Sequence, residues 1–393
     1  MMPPMTTPTL RILMLTDVYF PRINGVSTSI ETFRADLARE NVGIHLVAPA
    51  YPERQEHEDI WRVPSRRLPF DPEDRLMRWR HLLATSHQAA QAGIDLIHVQ
   101  TPFAAHYAGL KTARHLGVPI LTTYHTHFEE YIQHYLPLLP KPWLKATARR
   151  IARHQCDELD AVIVPSPAMR DTLTHYGVRA PLHVLPTGIP IDRFRHGDGR
   201  RFRTRHGIPA GRPVALYVGR IAHEKNIGFL LQAMTHALPR RRGLLLIVAG
   251  EGPALPSLKR QVEDLGLQDH VRFVGYLDRQ EELPDCYAAA NLFVFASRTE
   301  TQGLVLLEAM AAGLPVYALP FMGTKSIVEP RRGAVAAPDD PRAFGEGMAD
   351  LIGDQARLNA LADEARRFAQ EWSAPERARQ LATLYRSLVA SGR

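Results

Sequence analysis

Apolar positions in this chain come in short unbroken blocks, separated by longer stretches in which they recur every three or four residues. The blocks at residues 10–15, 44–48, 95–99, 119–123 and 161–164 are dominated by Leu, Ile and Val. A strand with one wet face would alternate; blocks that are apolar throughout read as strands covered on both sides. A second series follows at 214–218, 244–249, 271–274, 292–295 and 316–318. Strands of this kind alternating with helices predict parallel sheets in the doubly wound α/β class. Between the series, residues 186–213 carry four prolines and seven arginines, and the domain boundary is expected inside that stretch. The reading is two Rossmann-like domains, 1–192 and 193–372, facing each other across a cleft. Residues 373–393 are expected to pack back on the first, because Leu381, Leu384, Tyr385 and Leu388 form a helical stripe.

Composition narrows the class without naming a function. At 393 residues, 45% hydrophobic and 23% charged, the chain has material for two ordinary globular cores. Cys156 and Cys286 are its two cysteines, in no metal-like or redox-like spacing, so a disulfide framework and a zinc site are not expected and a reducing cytoplasm fits. No window approaches the roughly eighteen apolar residues that span a bilayer, and residues 1–9 do not read as a signal peptide. The net charge of +7 favours an anionic partner. No nucleic-acid-binding signature accompanies it, which leaves a membrane surface or a phosphorylated small molecule ahead of nucleic acid.

Ligands of doubly wound sheets sit at the carboxyl ends of the strands, so the segments after the blocks hold the candidate chemistry. The first block leads to Asn24-Gly25 and then to an amphipathic helix expected over about 28–40. A phosphate could rest on Gly25 there, although a plain capped turn has the same sequence, and no dinucleotide-binding Gly-x-Gly-x-x-Gly is present. After residues 119–123 come His125 and His127, whose spacing fits a hydrogen bond to a ligand better than a metalloprotease zinc site. The block 214–218 ends in Gly219-Arg220, with Lys225 five residues beyond Arg220. Two cations at that place could neutralise a diphosphate or could form an ordinary surface pair. The block 292–295 leads to Glu300-Thr301-Gln302-Gly303-Leu304, with Glu308 inside the following helix. Amides of Gly303 and Leu304 could meet a phosphate, and Glu308 could accept from ribose hydroxyls.

Taken in order, Asn24-Gly25-Val26, His125, Gly219-Arg220 with Lys225, Gly250-Glu251-Gly252, and Glu300 with Glu308 resemble the retaining glycosyltransferases of family four, which have the GT-B fold. The resemblance covers nearly the whole chain. It implies that the Gly25 amide touches the donor diphosphate, that Arg220 and Lys225 hold its charge, and that Glu308 binds the ribose. Glu300 would grip sugar hydroxyls, His125 would lie against the donor sugar, and the region of Tyr276 would cover the base. The donor-binding set it implies is Asn24, Gly25, Arg220, Lys225, Tyr276, Glu300, Gln302, Gly303, Leu304 and Glu308. His125, Glu300, Arg220 and Lys225 form its catalytic part, with no cofactor and no metal. Many relatives have Gly-Phe where this chain has Thr301-Gln302. That variant, with His-Thr-His-Phe-Glu-Glu-Tyr at 125–131, is similar to the subgroup that glucosylates diacylglycerol.

The subgroup implies UDP-glucose as donor, 1,2-diacylglycerol as acceptor, and a peripheral place on the inner face of the cell membrane. GDP-mannose remains open as a donor, and a non-hydrolysing sugar-nucleotide epimerase would share the fold. Within 141–154, Lys141, Lys145, Arg149 and Arg153 recur every four residues beside Trp143, Leu144, Thr147 and Ile151. On a helix this makes a cationic line along an apolar edge suited to an anionic membrane, or equally a solvated face over a packed one. The arginines of 193–205 read as a linker surface.

Overall fold

The computed structural model describes residues 10–22, 24–52, 57–67, 75–125 and 141–391. The chain divides into two compact units, Met1–Gly188 with Ala374–Arg393, and Ile189–Ser373.

In the first unit, β1 (Leu10–Leu15), β2 (Val42–Pro49) and β3 (Ile60–Val63) are followed by a small antiparallel pair, β4 (Ser65–Arg67) and β5 (Arg75–Met77). Then come β6 (Leu96–Val99), β7 (Ile120–Thr123), β8 (Ala161–Val164) and β9 (Leu182–Val184). The main sheet has the order β3-β2-β1-β6-β7-β8-β9 and is parallel throughout. Its strand order reverses between β1 and β6, the switch point at which such sheets take ligands. Helices α1 (Gly25–Leu37), α2 (Trp79–Ala92), α3 (Ala104–Leu116), α4 (Lys141–Asp157) and α5 (Pro167–His175) fill the crossovers. Central strands are sealed: Ile12, Leu13, Met14 and Leu15 have no exposed surface.

The second unit begins with α6 (Ile191–Arg195) and α7 (Gly199–Arg205), then β10 (Val214–Val218) and α8 (Ile227–Ala237). It continues through β11 (Leu245–Ala249), α9 (Leu255–Asp264), β12 (Val271–Gly275), α10 (Glu282–Ala289), β13 (Leu292–Phe295), α11 (Leu304–Ala311), β14 (Val316–Ala318), α12 (Lys325–Val328), β15 (Ala334–Ala336), α13 (Pro341–Gly353) and α14 (Gln355–Gln370). This sheet is also parallel, in the order β12-β11-β10-β13-β14-β15.

The chain then returns to the first unit as α15 (Ala374–Ser391), which packs on α1 and buries Leu381, Ala382 and Tyr385. The two crossings lie side by side: Ile189 N donates to Trp372 O at 2.8 Å, and Ile189 bridges Ser373. The first crossing precedes the expected 192/193 boundary, because Ile191 and Phe194 are buried in the second core. The arginine-rich stretch is therefore helical structure anchored in the second core, with most of its arginines at the surface. Phe202 is buried, Arg201 pairs with Asp285, and Arg203 donates to Ala289 O at 2.9 Å. No helix among the described residues is long and apolar enough to cross a membrane.

Candidate functional site

In the first unit the loop after β1 ends at Asn24, which caps α1: its Oδ1 accepts from Ser27 N at 2.8 Å. The cap starts the helix at Gly25, ahead of the expected residue 28, because an Asn at this position satisfies an otherwise orphaned amide. A Cβ added at Gly25 would have no neighbour within 4 Å, so local packing does not require the glycine. Its bare face at a helix N-terminus suits close approach of an anion.

His125 leaves the end of β7 and places Nε2 2.8 Å from Gln100 Oε1, at the end of β6. An amide oxygen only accepts, so this nitrogen carries a proton, and burial of the ring keeps the imidazole neutral near pH 7. Surrounding protein pushes the His125 pKa down to about 4. Behind it, His98 is buried in β6 between the Thr123 hydroxyl at 2.7 Å and the Tyr385 hydroxyl at 2.6 Å, with its pKa pushed down to about 3 by burial. Asp17, after β1, accepts from the Thr101 hydroxyl at 2.7 Å and from the Ala105 amide, tying the start of α3 to β1. Burial raises its pKa to about 6 against those hydrogen bonds. The rest of the His125–Tyr131 motif lies outside the described residues.

In the second unit, Gly219 follows β10 and Gly250 follows β11. Gly250 has φ 135°, and a Cβ there would meet Gly219 O at 2.0 Å, so the two loops pass backbone against backbone. Arg220 is exposed on this loop, and its carbonyl accepts from the Tyr217 hydroxyl at 3.2 Å. Five residues on, the turn His223–Lys225 brings Lys225 Nζ to 2.7 Å from Glu300 Oε2, both side chains half-buried. Asn226, left-handed at φ 56°, donates to Ala296 O at 3.1 Å and fastens this loop to the one after β13.

That second loop carries Glu300, then Gln302, buried, and Gly303, whose φ of 90° opens α11 with Leu304 at its first position. Glu308 lies in α11 and is buried. One of its oxygens pairs with Arg279, and the other accepts from the Tyr287 hydroxyl at 2.9 Å. Tyr276, 46% exposed, lies after β12 in the loop that also carries Arg279. The structure thus joins Lys225 to Glu300 and sets Glu308 against the Tyr276 loop. Gln100, Arg279 and Tyr287 were not singled out from sequence. Arg279, three residues past Tyr276, was the one with a signal, since it lies in a segment already assigned to a ligand.

On α4 the apolar edge divides. Leu144, Ala148, Ala152 and Cys156 are buried, whereas Trp143 (78% exposed), Thr147 and Ile151 face outward. The expected grouping of Leu144 with Trp143 is corrected accordingly: a period of four from Leu144 points inward. Lys141 opens the helix, Lys145 follows one turn later, Arg149 covers the Tyr176 ring at 5.4 Å, and Arg153 lies 3.6 Å from Asp157.

Two families match the chain: Glycosyltransferase Family 4 over residues 23–193 and Glycosyl transferases group 1 over residues 198–368. Alpha-monoglucosyldiacylglycerol synthase of Streptococcus pneumoniae is 36% identical over 319 residues, covering 79% of this chain and 71% of that protein. Among solved structures, sucrose-phosphate synthase of Thermosynechococcus elongatus superposes with a TM-score of 0.80 at 23% identity, over 97% of this chain and 100% of that one. Anabaena HepE in complex with UDP-glucose gives 0.76 at 20% identity, over 96% and 100%.

Proposed function

This chain belongs to the family 4, group 1 glycosyltransferases, and from that premise we propose that it moves glucose from UDP-glucose to diacylglycerol with retention at the anomeric carbon. The observation that carries the reading is the contact of Lys225 with Glu300 at 2.7 Å, which gathers a cation and a carboxylate at the carboxyl ends of β10 and β13. In this assignment the second unit takes the donor. Arg220 and Lys225 hold the diphosphate with the amides of Gly303 and Leu304, and Gln302 supports that loop. Glu308 uses its remaining lone pairs for the ribose, and Tyr276 covers the base. The first unit takes the acceptor, and Asn24, Gly25 and His125 serve the reacting groups.

The glycosidic bond from C1 to the diphosphate oxygen breaks as the acceptor oxygen bonds C1 on the same face. The acceptor proton passes to the departing phosphate. Fixed positive charge from Arg220 and Lys225 stabilises that leaving group, and preorganised charge of this kind is worth several kcal/mol. With its one proton directed to Gln100, neutral His125 can meet the donor sugar through its other nitrogen as an acceptor. The outward Trp143 and Ile151, flanked by Lys145, Arg149, Arg150 and Arg153 on a helix opened by Lys141, support peripheral binding to an anionic membrane on the cytoplasmic side.

The test is incubation with UDP-glucose and diacylglycerol in anionic vesicles. Formation of α-glucosyldiacylglycerol supports the assignment. Transfer from GDP-mannose alone would move it to a mannosyltransferase, and an epimerised sugar formed from donor without acceptor would overturn it.

A further inference from the structure

At the carboxyl edge of β1, β2 and β3 the first unit gathers arginines that none of the roles above uses. Arg34 of α1 donates to the Tyr19 hydroxyl at 2.9 Å and lies 3.3 Å from Glu31 Oε2. The Arg62 guanidinium stands 5.4 Å from the centre of the Tyr19 ring and donates to Pro49 O at 3.1 Å. Arg75 of β5 stands 5.3 Å from the centre of the Tyr51 ring. The charges of Arg22, Arg62 and Arg75 all act on the Tyr51 hydroxyl, and Arg34 repels Arg62. Against these cations the contacts among the described residues include one carboxylate, Glu31, which is about half exposed and already engaged by Tyr19 and Arg34.

Donors are left over. Arg34 Nε and Arg75 Nε are buried without a hydrogen-bond partner, and the Tyr51 hydroxyl lies beside the Tyr19 amide. A buried donor with no acceptor destabilises the fold, and guanidinium groups crowded together repel one another as well. An interior assembled only for stability would not collect these costs in one place. They are offset together by one ligand that carries several negative oxygens. Guanidinium forks match a tetrahedral oxyanion, and the carboxyl edge of a parallel sheet is where such a ligand sits.

We propose that the cluster of Tyr19, Arg34, Tyr51, Arg62 and Arg75 binds a phosphate group, either on an anionic lipid head group or on a free phosphorylated polyol. The inference deepens the assignment of the first unit to the acceptor, and rests on that assignment for the ligand's place in the reaction.

Binding is measured directly, so turnover does not enter the result. The probes are sn-glycerol 3-phosphate, and phosphatidylcholine vesicles with or without phosphatidylglycerol, applied to the full chain and to Arg75→Gln and Tyr51→Phe. UDP affinity serves as the control for an intact second unit. In phosphate-free buffer Arg75→Gln should raise the melting temperature of the first unit, because it removes a buried Nε donor that has no acceptor; a purely structural Arg75 would lower it. Inorganic phosphate should then stabilise the wild type and not the variant. Loss of glycerol phosphate affinity by about tenfold or more in the variants assigns the site to the phosphate ester itself. Loss seen only with phosphatidylglycerol vesicles assigns it to a lipid head group. Equal binding of both probes by wild type and variants, or a melting temperature lowered by Arg75→Gln and unmoved by phosphate, overturns the proposal. If glucosyl transfer to diacylglycerol fails while phosphate binding depends on Arg75, the acceptor assignment falls and the phosphate site stands.

Discussion

The hydroxyl of Tyr385, in the last helix, lies 2.6 Å from Nδ1 of His98, in the middle of the first sheet. Both side chains are buried, and His98 reaches Thr123 with its other nitrogen. Tyr385→Phe keeps the ring and deletes this bond, leaving a buried imidazole nitrogen without its partner. The expected loss is about 1–3 kcal/mol in the first unit, read from urea unfolding, with UDP affinity of the second unit unchanged. A loss below about 0.5 kcal/mol would show that the bond is replaced by solvent.

Acid should loosen the same region. His98 and His125 have folded pKa values of about 3 and about 4, below the 6.5 of a free imidazole. Their contribution is full above pH 6.5 and is lost as pH falls towards those folded values. Between pH 6.5 and about pH 5 each costs about 2 kcal/mol. Asp17 acts oppositely: with its folded pKa raised to about 6, its contribution is full below the unfolded value of 3.8 and is lost as pH rises through about 6. Two imidazoles outweigh one carboxyl, so stability should fall on acidification from pH 6.5. His98→Asn should flatten the slope in urea titrations at stepped pH.

Lys225→Ala removes the cation beside Glu300. If Lys225 neutralises the leaving diphosphate, kcat should drop by about 100-fold or more while the melting temperature stays close to wild type. Turnover within a few-fold of wild type would remove Lys225 from the assigned machinery.

Arg279 pairs with the buried carboxylate of Glu308. Arg279→Met should leave that charge uncompensated and disturb its orientation towards the ribose. A rise of about tenfold or more in the Kd for UDP is expected by titration calorimetry, with the second unit unfolding at lower denaturant. An unchanged Kd would separate Glu308 from nucleotide binding.

Trp143 and Ile151 present apolar surface outward from a helix rich in cations. Replacing both with Ser should weaken sedimentation with anionic vesicles by about 100-fold or more, since each buried large side chain contributes about 1.5–3 kcal/mol. Melting should be nearly unaffected because neither side chain belongs to the core. Undiminished vesicle binding would place the membrane contact elsewhere.

The interior strands were readable in advance because burial on both faces leaves only one composition. Residues 10–15, 161–164, 214–218, 292–295 and 316–318 coincide with β1, β8, β10, β13 and β14. The strands that escaped notice are β3, β9 and β15, each at an edge of its sheet, and the small antiparallel pair β4 and β5; the fourth edge, β12, was expected from residues 271–274. An edge strand is short and partly wet, so Ile-Trp-Arg-Val and Leu-His-Val carry no continuous apolar signal. The site divides in the same way. Lys225 and Glu300 stood out because each follows an interior strand. The clasp on Glu308 did not, because Arg279 and Tyr287 reach it only through the placement of the β12 and β13 loops, which no local pattern encodes.

The adjacent crossings at Gly188/Ile189 and Ser373/Ala374 impose an order on biosynthesis. The polypeptide from Ile189 to Ser373 is continuous, so it can collapse as soon as it clears the ribosome. The earlier-made half must wait, with the hydrophobic faces of Ile30, Phe33 and Leu37 lacking their cover until Leu381 and Tyr385 have been translated. Nascent chains arrested before residue 374 should therefore present a protease-resistant later half beside a chaperone-dependent earlier one.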